Sequence, residues 1–276
     1  MALSLKTEPG SAASPAAVVA GRPIGFVARG DHGPPVILLH GFGADRMAWA
    51  LQQAALAQFA STVAVDLPAH GGSDNHVGDG SIAFLSEVVA GLLRSNDAAP
   101  AHLVGHSLGG AIAIDLAHRF PDRVASLFLV APAGLGRGID HAFLTDFMSM
   151  QSLDEAQRVL ERLVARPRLI NLQMAARVLD RLNQPGAREG LRKIAAALAD
   201  AAGVLAPAIA SISRSSLPRI VVWGEEDRIN PIDEDRVTSF AKNLTLLAAT
   251  GHMPQVENAA KVEMLLRSFY RELGLS

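Results

Sequence analysis

From Gly21 onward, short apolar runs alternate with amphipathic segments of 10 to 15 residues, and this alternation constrains the fold more than any other feature of the chain. A run of three to five apolar residues is too short for a buried helix. Followed each time by a helical period, it is the pattern of βαβ units, in which a strand buried on both faces needs a helix to bring the chain back parallel. The runs are residues 24–28, 36–39, 62–65, 102–104, 126–130, 220–223 and 244–248, and segments 47–59, 82–93, 108–120, 233–241 and 262–273 read as helices between them. In 82–93, Ile82, Leu85, Val89 and Leu92 recur at spacings of three and four, which puts them on one buried face. The expected fold class is α/β, a mainly parallel twisted sheet flanked by helices. At 276 residues, 49% of them hydrophobic, the chain can bury the core that this requires.

The alternation stops near Ala133 and resumes at Pro218. Segments 143–149, 154–165, 169–182 and 188–202 carry helical patterns punctuated by Pro167, Pro185 and Gly186, so residues 134–217 are expected to be a helical cap inserted into a core formed by 21–133 and 218–276. The insertion holds eleven Lys/Arg against eight Asp/Glu, whereas the rest of the chain is acidic. A basic lid would favour an anionic substrate; a solvated helix face is the plainer reading of the same arginines. Residues 194–212 are almost continuously apolar, but Asp200, Gly203, Pro207 and the many alanines point to a packed helix that breaks at Pro207 rather than a membrane span. Residues 1–20, small and Pro-containing, are expected to form a flexible N-terminal segment.

One junction carries chemistry. Gly105-His106-Ser107-Leu108-Gly109 lies between the apolar run 102–104 and the helical segment 108–120. A serine hydroxyl is a poor nucleophile until a base takes its proton, and G-x-S-x-G lets a strand turn sharply into a helix so that the serine oxygen stands out at the sheet's carboxyl edge. Two further strand ends supply partners. Residues 220–223 run into Gly224-Glu225-Glu226-Asp227, and residues 244–248 run into Ala249-Thr250-Gly251-His252. In open α/β sheets the carboxyl ends of the strands are where sites form. The order Ser107, Asp227, His252 supplies a nucleophile, an orienting acid and a base. Read singly, Asp227 is equally a turn-capping carboxylate and His252 a loop histidine. Asp233, just after Asn230-Pro231, reads as a helix N-cap. His40-Gly41-Phe42-Gly43 follows the run 36–39, so the Phe42 and Leu108 N–H groups are the expected oxyanion donors, and His40 reads as a loop stabiliser.

Other classes are disfavoured. A net charge of −2, no Lys/Arg-rich run, one Tyr and two Trp give nucleic acid nothing to bind. The absence of cysteine excludes disulfides and thiolate chemistry. The nine histidines are scattered, and there is neither a Walker spacing nor Gly-x-Gly-x-x-Gly where the first strand meets its helix, so neither a metal nor a cofactor is expected. Lys6, Glu8, Pro9 and Gly10 interrupt the amino terminus before a secretory apolar region builds, which makes a cytoplasmic location the default expectation, with no membrane partner.

Together these residues resemble the α/β-hydrolase superfamily from about Gly21 to Leu273. The resemblance implies Ser107 as nucleophile, His252 as base, Asp227 as orienting acid, and Phe42 and Leu108 as oxyanion donors. A serine at the elbow is unlike the aspartate of dehalogenases and epoxide hydrolases. Four strings, Asp66-Leu67-Pro68-Ala69-His70-Gly71-Gly72-Ser73, Val77-Gly78-Asp79-Gly80-Ser81, Ala131-Pro132-Ala133-Gly134-Leu135-Gly136 and Gly251-His252-Met253-Pro254-Gln255, resemble the hydrolase-fold domain of the dihydrolipoamide acetyltransferase component of acetoin dehydrogenase complexes. In that component a lipoyl domain and an Ala/Pro-rich linker come first, and residues 1–20 resemble the tail of such a linker. The leading expectation is a serine hydrolase acting on a small-molecule ester or thioester. The alternatives are an acyltransferase to dihydrolipoamide with a lipoyl-bearing partner, a carbon–carbon bond hydrolase of the kind that Trp223-Gly224-Glu225-Glu226-Asp227-Arg228 resembles, and a non-catalytic binder.

Overall fold

All seven apolar runs become strands of one eight-stranded sheet, and an eighth strand joins them from a segment expected to be irregular. The computed structural model describes residues 16–94 and 100–275. Its strands are β1 (Ala16–Val19), β2 (Arg22–Arg29), β3 (Pro35–Leu39), β4 (Ser61–Val65), β5 (Ala101–His106), β6 (Val124–Val130), β7 (Arg219–Gly224) and β8 (Asn243–Leu247). The spatial order is β1-β2-β4-β3-β5-β6-β7-β8. β1 pairs antiparallel with β2 and β2 antiparallel with β4, and all other pairings are parallel.

Successive residues of a strand face opposite sides, and the core divides accordingly. Val36, Leu38, Val104, Phe128 and Val222 meet helices α1 (Ala50–Leu56) and α11 (Ala259–Glu272) through Leu56, Leu266 and Tyr270. Ile37, Leu39, Leu103, Leu129 and Val221 lie in the core on the other face with α2 (Ile82–Arg94) and α3 (Leu108–Arg119). Between β6 and β7 come α4 (His141–Ser149), α5 (Leu153–Glu161), α6 (Leu172–Leu182), α7 (Ala187–Leu198) and α8 (Ala201–Ser213); α9 (Glu234–Phe240) precedes β8 and the short α10 (Pro254–Glu257) follows it.

Two expectations need correction. The N-terminal segment was expected to be flexible through residue 20, yet β1 occupies Ala16–Val19; residues 1–15 lie outside the described residues. Ala20 and Gly21 both take positive φ (50° and 77°), the two-residue turn that suits the twist of a hairpin. An alanine in that conformation gives no sequence signal. Secondly, Pro207 lies inside α8, and the break falls instead before Asp200, whose carboxylate accepts from the Gly203 N–H at 3.2 Å and caps the new helix. Ala201, Leu205, Ala208 and Ile212 bury one stripe across the proline; that packing outweighs the hydrogen bond proline removes. This helix packs against α3 and α9, flanking the sheet. α8 is thus held against helices of the core, although it falls within the residues 134–217 expected to form the cap. Among the described residues no single helix is long and apolar enough to cross a membrane; α7 and α8 reach that length only together and are bent by 60°.

Candidate active site

At the end of β5 the chain reverses into α3 through Ser107, whose φ of 50° and ψ of −113° only a tightly held turn sustains. The Ser107 N–H donates to Val130 O at 3.0 Å, and the Ser107 carbonyl accepts from Ala111 and Ala133, also at 3.0 Å. Gly105 and Gly109 are required by contact. A Cβ on Gly105 would lie 2.6 Å from Gly109 O, and one on Gly109 would lie 2.2 Å from Leu39 O.

His252, in the loop after β8, places Nε2 3.0 Å from Ser107 Oγ and Nδ1 2.8 Å from Asp227 Oδ2. All three side chains are buried. The Asp227 carboxylate is oriented by further donors: Oδ1 accepts from the Ile229 and Asn230 N–H groups at 2.9 Å each, and Oδ2 from Trp223 Nε1 at 3.0 Å. A carboxylate only accepts, so the histidine proton sits on Nδ1 and the Nε2 lone pair is left for the serine hydroxyl. Asp233 stands elsewhere, capping α9 through the Arg236 N–H at 3.1 Å.

The loop after β3 comes to the same place. A Cβ on Gly41 would lie 3.2 Å from Ser107 Cβ. Leu108 opens α3, so its N–H lies ahead of the helix's own ladder. Among the described residues, neither it nor the Phe42 N–H donates to a carbonyl of the turns and loops. Two neutral histidines hold this loop. His40 donates from Nδ1 to Gly41 O at 2.8 Å and accepts the Leu67 N–H on Nε2 at 3.0 Å. His70 donates from Nδ1 to Pro68 O at 2.9 Å and accepts the Gly43 N–H on Nε2 at 3.0 Å. Sequence reasoning anticipated His40 and missed His70; the glycines beside it were the available signal.

Burial pushes His40, His70 and His106 below the ordinary imidazole range, and lowers His102, on β5 beside Ser126, to about 4. The unfolded chain, titrating near 6.5, therefore binds more protons than the folded one at mildly acidic pH. Stability is complete above about pH 6.5 and falls as the pH drops; His102 alone removes about 3 kcal/mol by pH 4. Urea unfolding at pH 7.5 and pH 5.5 is expected to show a clearly lower midpoint at pH 5.5, and equal midpoints would contradict the burial of these neutral imidazoles.

Glu257 was also missed. Its buried carboxylate accepts from the Gly251 N–H at 2.6 Å and from the Ala165 N–H at 2.8 Å, and burial raises its pKa. The His252 N–H donates to Leu163 O at 2.8 Å. The histidine loop is thus tied to the segment after α5 from both sides. An amide nitrogen cannot accept, so Glu257→Gln leaves one of the two buried N–H groups unpaired. The expected cost is about 1–3 kcal/mol in urea unfolding, and an unchanged midpoint would show that the ties carry nothing.

A cavity of about 300 Å³ lies against Ser107 and His252, with Phe42 and residues of α4 to α7 in its walls. Four of the ten arginines between β6 and β7, Arg162, Arg166, Arg181 and Arg188, are engaged in holding the protein's own parts together. Arg162 pairs with Asp140 and Asp146, Arg188 donates to Met148 O and Met150 O, and Arg181 donates to Ser73 O and Asn75 Oδ1. For these four the structural reading of the local positive balance holds, whereas Arg177 stands exposed at the cavity. Among the described residues no group of three or more His, Asp or Glu side chains is placed to hold a metal ion.

A mainly parallel sheet with a strained serine after β5 and with Asp and His after β7 and β8 defines a class of enzyme: the chain belongs to the alpha/beta hydrolase family, whose profile matches residues 36–264. Within it, the chain is 37% identical over 247 residues to the dihydrolipoyllysine-residue acetyltransferase component of the acetoin cleaving system of Pseudomonas putida, spanning 90% of this chain and 66% of that protein. The component of the same name from Cupriavidus necator is 31% identical over 260 residues, 94% of this chain and 70% of that one. The chain therefore spans about two thirds of the length of these relatives. Among solved structures, a meta-cleavage product hydrolase of Pseudomonas fluorescens IP01 superposes with a TM-score of 0.82 at 23% identity, over 92% of this chain and 96% of that one, a likeness of fold.

Proposed function

We propose that the protein is a serine hydrolase of esters or thioesters that works through an acyl-enzyme. The observation that carries this reading is the continuous line from Ser107 Oγ through His252 to Asp227, at 3.0 and 2.8 Å. Ser107 Oγ attacks the carbonyl carbon while His252 Nε2 takes the hydroxyl proton, and Asp227 steadies the imidazolium from the other side. The carbonyl oxygen, now negative, is received by the Phe42 and Leu108 N–H groups. As the tetrahedral species collapses, His252 returns the proton to the departing oxygen or sulfur and the acyl group stays on Ser107. A water then gives its proton to His252, attacks the acyl carbon and releases the acid, restoring the serine. Helices α4 to α7 act as a cap that keeps bulk water from this sequence.

A second acceptor is favoured by the two acetyltransferase relatives: a thiol such as dihydrolipoamide, brought by a lipoyl-bearing partner, would take the acyl group in place of water. Release of p-nitrophenol from p-nitrophenyl acetate, by this protein and by Ser107→Ala, with and without dihydrolipoamide, separates the two. Hydrolysis predicts serine-dependent release indifferent to the thiol. Thiol-accelerated release with S-acetyl product would replace it with transfer, and release equal in the two proteins would refute both.

A further inference from the structure

The space over Ser107 is far larger than an acetyl group needs. A cavity of about 300 Å³ is many times the space a single water or methyl group needs, so it accommodates a chain of several carbons. Much of its wall is hydrocarbon. Phe143 and Phe147 of α4, Leu160 of α5, Val178 of α6 and Leu198 of α7 face it together with Ile229. Phe147 also packs edge to face on Phe42 with ring centroids 5.3 Å apart, which seats this apolar wall directly on the loop beside the serine. The apolar surface continues outward at Met47 and Leu51, which line the same cavity yet are 48% and 63% exposed. Two cations, Arg177 and Arg181, also line the cavity; the Arg181 guanidinium donates to Ser73 O and Asn75 Oδ1, and Arg177 is exposed.

Resting on the acyl-enzyme reading above, we infer that the substrate carries a hydrocarbon chain of about six carbons or more, laid beneath α4 to α7. The acetyl group named for the relatives would leave most of this cavity without contact. Each methylene added to the substrate moves from water onto an apolar wall, and about 0.8 kcal/mol per methylene is about fourfold in kcat/KM. The chain stands on either side of the scissile carbonyl, and the two sides are tested separately.

The experiment measures kcat/KM, with Ser107→Ala as the blank, for p-nitrophenyl acetate, butyrate, hexanoate and octanoate, and for ethyl, butyl, hexyl and octyl acetate. A rise of about threefold to fourfold per added methylene in either series, continuing to about six carbons or more, is expected. Val178→Trp, which fills the cavity from α6, is expected to lower the ratio of octanoate to acetate, or of octyl to ethyl, at least tenfold. Serine-dependent turnover that is flat or falls with length in both series overturns the chain pocket and leaves the acyl-enzyme standing. Absence of serine-dependent turnover with every ester overturns both.

Discussion

Ser107→Ala is expected to lower kcat/KM for p-nitrophenyl esters by about ten-thousandfold to a millionfold while the protein stays folded. The size of the loss follows from what one oxygen does. Without Oγ no acyl-enzyme forms, and neither His252 nor the N–H groups of Phe42 and Leu108 can recover that route; they retain only the help they give to direct attack by water. The fold should tolerate the change, because the turn is held by backbone contacts to Val130, Ala111 and Ala133 and only Oγ is lost. A circular dichroism melt within a few degrees of the parent would establish that the lost rate is chemical. If the variant instead retained a tenth of the activity, the nucleophile would have to be sought elsewhere in the cavity.

The second large effect is at Asp227. Asp227→Asn is expected to reduce turnover by about ten-thousandfold, because the new amide, donating toward His252 Nδ1, favours the tautomer whose Nε2 carries the proton and cannot accept one from Ser107. The Ile229 and Asn230 N–H groups would still meet the amide oxygen, and Trp223 Nε1, which loses its carboxylate acceptor, keeps the Asn230 carbonyl at 3.0 Å, so the loop keeps most of its frame. Asp233→Asn, which changes only a helix cap that asparagine also provides, should alter turnover by less than about twofold. Steady-state kinetics of the two variants side by side checks the assignment, and the reverse pattern would mean that Asp233 is the acid.

The readable parts of the sequence were those governed by period and by turn chemistry. Seven strands came from apolar runs because a strand buried on both faces admits little else, and Ser107, Asp227 and His252 were placed because each sits where a run ends. What escaped was set by tertiary contact. β1 depends on Ala20 adopting a glycine-like φ, and α8 continues through Pro207 because α3 lies under its buried stripe. His70 and Glu257 act through backbone N–H groups that are distant in sequence, Gly43 for one and Ala165 for the other, and no local pattern encodes such a partner. The same holds for the cavity. Its lining is gathered from helices whose individual patterns say only that one face is apolar.

During turnover an acyl group is expected to rest on Ser107. Acid quenching of the protein mixed with p-nitrophenyl octanoate in the first turnovers, followed by mass spectrometry of the intact chain and of its peptides, measures this directly. One added acyl group is expected on the peptide containing Ser107, removed again as substrate is exhausted and absent from Ser107→Ala. An unmodified Ser107 in a protein that is turning over substrate, or the acyl group found on another residue, would contradict it.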